Sequence, residues 1–177
     1  MKCHKAVITD DGTKANVVFR VLNKSEYIFL KNGVNIPEKL LSKPELSQIL
    51  NLEMPERYLC ISSRLVTWKR VERSIKALSI MQSAETKPAL VIVGGGPRKH
   101  FLEELAKELE VQVIFTGHVS QEISYNVIYN CTAFLSFYDL SNLGNPLLEA
   151  LSCHKPIVTI GNGDTRKVIK DGENGLI

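Results

Sequence analysis

Three short stretches of the chain carry residue types that could do chemistry. The first is Ser62-Ser63-Arg64-Leu65-Val66-Thr67-Trp68-Lys69-Arg70, with three cations inside seven residues just ahead of an amphipathic segment. A helix amino terminus offers unpaired N–H groups and a partial positive charge, so Arg64, Lys69 and Arg70 there would suit a diphosphate; solvated surface charges fit this loop equally well. The second is Val93-Gly94-Gly95-Gly96-Pro97, where three glycines permit a tight turn and close approach of backbone to a ligand. It is not a dinucleotide fingerprint, because the third glycine of G-x-G-x-x-G falls on Lys99. A plain tight turn is the competing reading. The third runs from Tyr138 to Ala150, polar and glycine-rich before an apolar helical stretch that contains Glu149. An ionised carboxylate only accepts hydrogen bonds, which suits paired hydroxyls such as a ribose diol. A helix with an acid near its favourable end is the alternative.

The elements that would position these loops alternate in type. Apolar, β-branched runs at 6–9, 27–30, 58–61, 89–93, 111–115, 133–135 and 156–160 predict strands, several without the alternation of a half-exposed sheet. Between them, Val71, Ile75, Leu78 and Met81 share a helical face, as do Leu102, Leu105 and Leu109. Ile123 and Val127 mark a third helix capped by Ser120 with Glu122 in its first turn, and a fourth starts near Pro146. The segment 36–57, with Pro37, Pro44 and Pro55, reads as a connection with one short helix near 44–51. Strand and helix in succession predict an α/β fold, a Rossmann-like three-layer parallel sheet with helices on both faces. All three candidate loops then lie at the carboxyl ends of strands, where ligands of such sheets bind.

Composition sets outer limits. The 177 residues suffice for one well-buried domain; 44% hydrophobic and 23% charged residues exclude a disordered chain. A net charge of +3 suits an anionic small molecule and is too weak to imply nucleic acid. No apolar run approaches the roughly 20 residues of a membrane span, and the opening Met1 to Lys5 predicts no signal peptide. Cys3, Cys60, Cys131 and Cys153 have no metal spacing; Cys60 and Cys131 read as buried small hydrophobes, consistent with a reduced, cytoplasmic setting. The final Gly175-Leu176-Ile177 reads as the opening of a strand, so the domain is expected to continue past the last residue.

With these loops in order, the sequence resembles the family-four retaining glycosyltransferases of GT-B architecture. Asn32-Gly33-Val34-Asn35 is similar to N-G-V-D, Ser63 to Arg70 to G-R-L-x-x-x-K-G, and Val93 to Pro97 to V-G-x-G-P. Phe115-Thr116-Gly117-His118-Val119 is similar to F-x-G-x-V, Asn145 to Cys153 to L-P-L-L-E-A-M-A-C, and Asp171 to Gly175 to D-G-x-N-G. The resemblance implies the carboxy-terminal, nucleotide-sugar-binding domain over 31–177, cut short at its end, with 1–30 the tail of the acceptor domain or a linker. It implies transfer of a hexose from a nucleoside-diphosphate sugar, UDP- or GDP-linked, to an acceptor hydroxyl with retention. Arg64 and Lys69 would grip the diphosphate and steady the leaving group, and Glu149 would hold the ribose hydroxyls. Gly117, His118 and Val119 would border the base, and amides around Gly144 and Asn145 would face the distal phosphate. Gly95, Ser141, Asn142, Leu143 and Leu147 belong to the same donor-binding set.

The resemblance implies no metal and no cofactor beyond the substrate. It implies as partner the missing amino-terminal acceptor domain, through which alone any peripheral membrane contact would come. The pattern departs at Ser141, where the family's E-x7-E motif has its first glutamate; Asp139 and Asn142 are the nearest polar substitutes, both out of register. Lys167 stands where the family often has glutamate, and Ser63 replaces a glycine. Alternatives are another GT-B enzyme, such as a nucleotide-sugar epimerase or a phosphorylase, or a non-catalytic nucleotide-sugar-binding module. A fragment lacking its partner domain is expected to bind donor without turnover.

Overall fold

The computed structural model describes residues 6–10, 27–81, 88–139, 143–162 and 165–177. Strands β1 (Ala6–Asp10) and β2 (Tyr27–Lys31) pair with each other in parallel as a separate two-stranded sheet. The rest forms a six-stranded parallel sheet from β3 (Tyr58–Ser62), β4 (Ala89–Val93), β5 (Val113–Gly117), β6 (Ala133–Ser136), β7 (Ile157–Thr159) and β8 (Gly175–Leu176). Its order is β5-β4-β3-β6-β7-β8, so the direction of strand addition reverses between β3 and β6. That reversal is the Rossmann-type switch point, where the two crossovers diverge and leave a crevice above the strand ends.

Helices cover both faces. Against one face pack α1 (Lys43–Leu50), α4 (Gln121–Asn130) and α5 (Asn145–Ser152), which contribute Leu46, Tyr125, Val127, Ile128, Leu147 and Ala150 to a core with Cys60, Val91, Val93, Phe134 and Ile157. Against the other pack α2 (Val71–Ile80) and α3 (Lys99–Glu108), whose Val71, Ile75, Leu78, Leu102 and Ala106 meet Ile61, Leu90, Ile92 and Leu135. Successive strand residues thus enter opposite cores. This is why β4 is buried along its whole length and shows no polar alternation. Edge strand β5 is half-buried throughout.

The expected elements lie close to their sequence ranges, with β5 displaced two residues from 111–115, because Val111 ends the turn after α3. Ser120 caps α4 by accepting from the Ile123 amide at 3.3 Å. Two short elements carry no periodic signal and were not expected: a 3-10 turn at Thr67–Lys69 and α6 (Thr165–Val168). Cys60 and Cys131 are buried, as expected, and so is Cys153; Cys3 lies outside the described residues.

The connection 36–57 is held by a buried amide. The Leu41 amide donates to Asn126 Oδ1 at 2.7 Å, Asn126 Nδ2 donates to the Glu122 carbonyl, and Asn130 Nδ2 returns to the Leu41 carbonyl. Asn126 has no solvent exposure. Asn126→Ala would strand the Leu41 amide away from water, and is expected to destabilise the fold by about 2 kcal/mol. A thermal melt should show a midpoint lower by roughly 5 °C.

Candidate functional site

The cleft above the switch point is built from three strand-to-loop junctions welded through main chain. Leaving β3, the Ser63 amide donates to the Val93 carbonyl at 2.9 Å and the Leu65 amide to the Gly95 carbonyl at 3.0 Å. The Arg98 amide donates back to the Leu65 carbonyl at 3.1 Å, and the Gly94 amide to the Gly117 carbonyl at 2.9 Å. Such contact needs backbones without side chains between them. Gly94 has φ +117°, and a Cβ there would overlap the Ser63 carbonyl oxygen; one on Gly96 would lie 2.6 Å from the Leu65 oxygen. The glycine run therefore serves the neighbouring loop first, which is more than a tight turn demands.

Between these junctions and the start of α5 lies an open cleft of about 340 Å³. Its walls include Arg64, Gly95, His118, Val119, Asn145 and Glu149. Six of the residues singled out in the sequence thus converge here, from four separate loops and helices. Gln121 and Ser124 also line it and belong to none of the three stretches, and Ser62 and Pro146 lie in them without an assigned role. Gln121 carried one signal, as the first polar side chain after the Ser120 cap in the loop beyond β5.

Arg64 is pinned through its bonded neighbours Ser63 and Leu65, while its side chain is exposed and 5.7 Å from the Trp68 ring centroid. Lys69 stands outside the cleft wall. Its Nζ lies 3.7 Å from the Tyr138 ring centroid and 4.3 Å from that of Trp68, within cation–π range. Burial, and then the charge of Arg64, push the Lys69 ammonium down to about 8. Tyr138 is itself fixed by donating to the Ser62 carbonyl at 3.1 Å. Arg70, the third cation of the loop, turns to Asp139 and Glu72 instead. Asp139 is also held by Arg73 at 2.8 Å, and its carboxyl is kept below the usual range, first by the Arg70 hydrogen bond. As a stand-in for the glutamate replaced at Ser141, Asp139 is therefore already engaged. Ser141 and Asn142 lie outside the described residues.

Glu149 is 3% exposed, in the second turn of α5. Gln121 Nε2 donates to its Oε1 at 3.2 Å. Burial pushes the carboxyl up, and the Gln121 hydrogen bond opposes that shift. The amino end of α5 begins at Gly144 without a side-chain cap, leaving the Asn145 amide beside the cleft. Leu147 turns into the core and Leu143 packs against it; the Leu143 carbonyl accepts from Asn32 Nδ2 at 3.2 Å. Gly117 meets Gly94 through main chain at the rim. Among the described residues no group of three or more His, Cys, Asp or Glu could hold a metal ion, and no helix is long and apolar enough to cross a membrane.

The welded loops generate a contrast between adjacent glycines. Gly94→Ala forces a side chain onto backbone at a left-handed φ and should destabilise by about 3 kcal/mol. In Gly95→Ala the nearest atoms to the new Cβ all belong to the His118 ring, at 2.7 Å for Nε2, and that ring can rotate. Its urea unfolding midpoint should stay much nearer that of the parent protein.

Comparison with known proteins bears on the family and the fold. The model of the family described as Glycosyl transferases group 1 matches residues 42–177. An uncharacterized glycosyltransferase of Methanocaldococcus jannaschii is 28% identical over 179 residues, 99% of this chain and 45% of that protein. The alpha-monoglucosyldiacylglycerol synthase of Streptococcus pneumoniae is 31% identical over 137 residues, 75% of this chain and 31% of that protein. The crystal structure of Anabaena HepE in complex with UDP and glucose superposes with a TM-score of 0.73 at 20% identity, over 97% of this chain and 48% of that one. The chain spans less than half the length of each. With the family pattern running from residue 42 to residue 177 across the sheet and its cleft, the chain belongs to the glycosyl transferases group 1 family, on a Rossmann-like fold shared with GT-B glycosyltransferases.

Proposed function

We propose that this chain is the donor-binding half of a retaining glycosyltransferase that moves a hexose from a nucleoside-diphosphate sugar to an acceptor hydroxyl. The observation that carries the reading is the meeting, in one cleft at the switch point, of a cation, a buried acceptor and an uncapped helix start. Arg64 binds the diphosphate, the Asn145 amide and the dipole of α5 support the distal phosphate, and Glu149 accepts from the ribose hydroxyls. The base lies beside His118 and Val119, with Gly95 and Gly117 forming the floor and rim. Gly144 and Leu143 contribute through main chain, and Ser141 and Asn142 are assigned to the donor-binding set on the family resemblance alone.

When the bond from the anomeric carbon to the phosphate oxygen breaks, negative charge collects on the departing diphosphate. Arg64, Lys69 and the α5 amides neutralise it, the part a metal ion plays in other transferases. Lys69 reaches that charge by leaving the Trp68 and Tyr138 rings. UDP and GDP are both compatible donors. Residues 1–30 belong to the acceptor half or the linker to it, a reading supported by β1 and β2 pairing apart from the main sheet. Two parallel strands rarely stand alone, and Val7, Ile28 and Leu30 leave apolar surface for a larger sheet to cover. The protein works at the cytoplasmic side, where nucleotide sugars are available. A second reading, donor binding without turnover, is favoured by one observation: Asp139 is tied to Arg70 and Arg73, so it does not replace the carboxylate missing at Ser141.

Calorimetry with UDP, GDP and ADP tests the proposal. At least one should bind, and Arg64→Ala should weaken it about tenfold or more, the worth of a charged hydrogen bond; no binding to folded protein would contradict it. Affinity should also fall as pH rises through about 8, because only the charged Lys69 ammonium pairs with the diphosphate. Lys69→Met should bind more weakly at pH 7 and lose that dependence.

A further inference from the structure

We infer that Gln121 is a positioning residue for Glu149: it holds one carboxylate oxygen, leaves the other to the ribose diol, and so sets the preference for ribonucleotides over deoxyribonucleotides. The inference rests on the donor-site reading of the cleft and extends it to a residue outside the family motif.

Gln121 opens α4, and its backbone is fixed by the Ser120 cap immediately before it. As an exposed residue it is not driven inward by burial, yet its amide meets Glu149 Oε1 at 3.2 Å. Among the described residues no other side chain donates to Glu149, and none of them partners its second oxygen. A nearly buried carboxylate with one open oxygen is an acceptor waiting for donors, and two vicinal hydroxyls supply them. Without the Gln121 amide, both the torsion of the carboxylate and its ionisation are released. The titratable groups facing it are Arg64 and His118 along the cleft, Cys60 on β3 and Tyr125 on α4. Of these, only Arg64 brings a permanent positive charge. Burial already favours the protonated acid, and the amide opposes it. A protonated Glu149 exposes an O–H where an acceptor is needed.

The test measures affinities of UDP, GDP, 2′-deoxy-UDP and 2′-deoxy-GDP from pH 5 to 8 for the parent protein, Gln121→Met, Gln121→Glu and Glu149→Gln. Gln121→Met should cut the ribo-over-deoxy preference by about threefold to tenfold. It should also move the acid-side loss of affinity to higher pH, since the carboxylate protonates more readily without its donor. Gln121→Glu sets two acids at hydrogen-bonding range, so it should bind worst at pH 8 and recover towards pH 6 as they share a proton. A merely structural role would lower affinity for all four nucleotides alike and leave the pH profile in place. Preferences and profiles in both Gln121 variants that match the parent would overturn the inference. If Glu149→Gln also keeps the parent preference, the ribose reading of Glu149 itself fails, which separates the two failures.

Discussion

The cleft depends on one close contact, the backbone of 63–65 lying directly on the backbone of 94–96. Four main-chain hydrogen bonds join these loops to each other, to Gly117 and to the start of α3. Arg64 sits between two residues that are both bonded across this seam, so its origin is fixed although its guanidinium is free to move. The same seam sets Gly95 beneath the His118 ring. Loops at strand ends are ordinarily the softest parts of a domain. Here they inherit the rigidity of β3, β4 and β5, which is what a binding site must have to hold its groups ready.

Charge is then divided within a single loop. Arg70 is drawn off by Asp139 and Glu72, and Arg98 closes on Glu72 from α3 at 3.0 Å. These are partly exposed pairs of small individual worth, yet together they tie the end of β6 to the loop that follows β3. Arg64 and Lys69 make no such pair among the described residues, so no side-chain carboxylate there offsets their charge. Lys69 is held against aromatic faces, where desolvation already weakens its charged form. An anion entering the cleft would reverse that balance, and burial gives Glu149 a matching sensitivity from the acid side. The two ends of the site are thus poised in opposite directions.

Much of this was legible from residue patterns. The central strands β3, β4 and β6 announced themselves as apolar runs because they are covered on both faces, and the Ser120 cap fixed where α4 starts. The convergence of Arg64, Gly95, His118, Val119, Asn145 and Glu149 followed from their common place at strand ends. What could not be read was partnership across the chain. Nothing in the order of residues says that Arg70 pairs with Asp139, 69 positions away, or that the glycines serve the Arg64 loop. Gln121 escaped for the same reason: its bond to Glu149 spans 28 residues and belongs to no periodic pattern. The 3-10 turn at Thr67–Lys69 is too short for periodicity, though it brings Lys69 onto the rings.

In the proposed function a nucleoside diphosphate occupies the cleft above the β3–β6 reversal. Backbone amide NMR of the isotope-labelled protein, titrated with UDP and with GDP, examines it directly. The largest shift changes should fall on 62–65, 94–96, 117–121 and the first turn of α5, four stretches distant in sequence and adjacent in the fold. Shift changes confined to the groove beside the β5 edge around His100, Lys107 and Gln112, or none with either nucleotide, would contradict it.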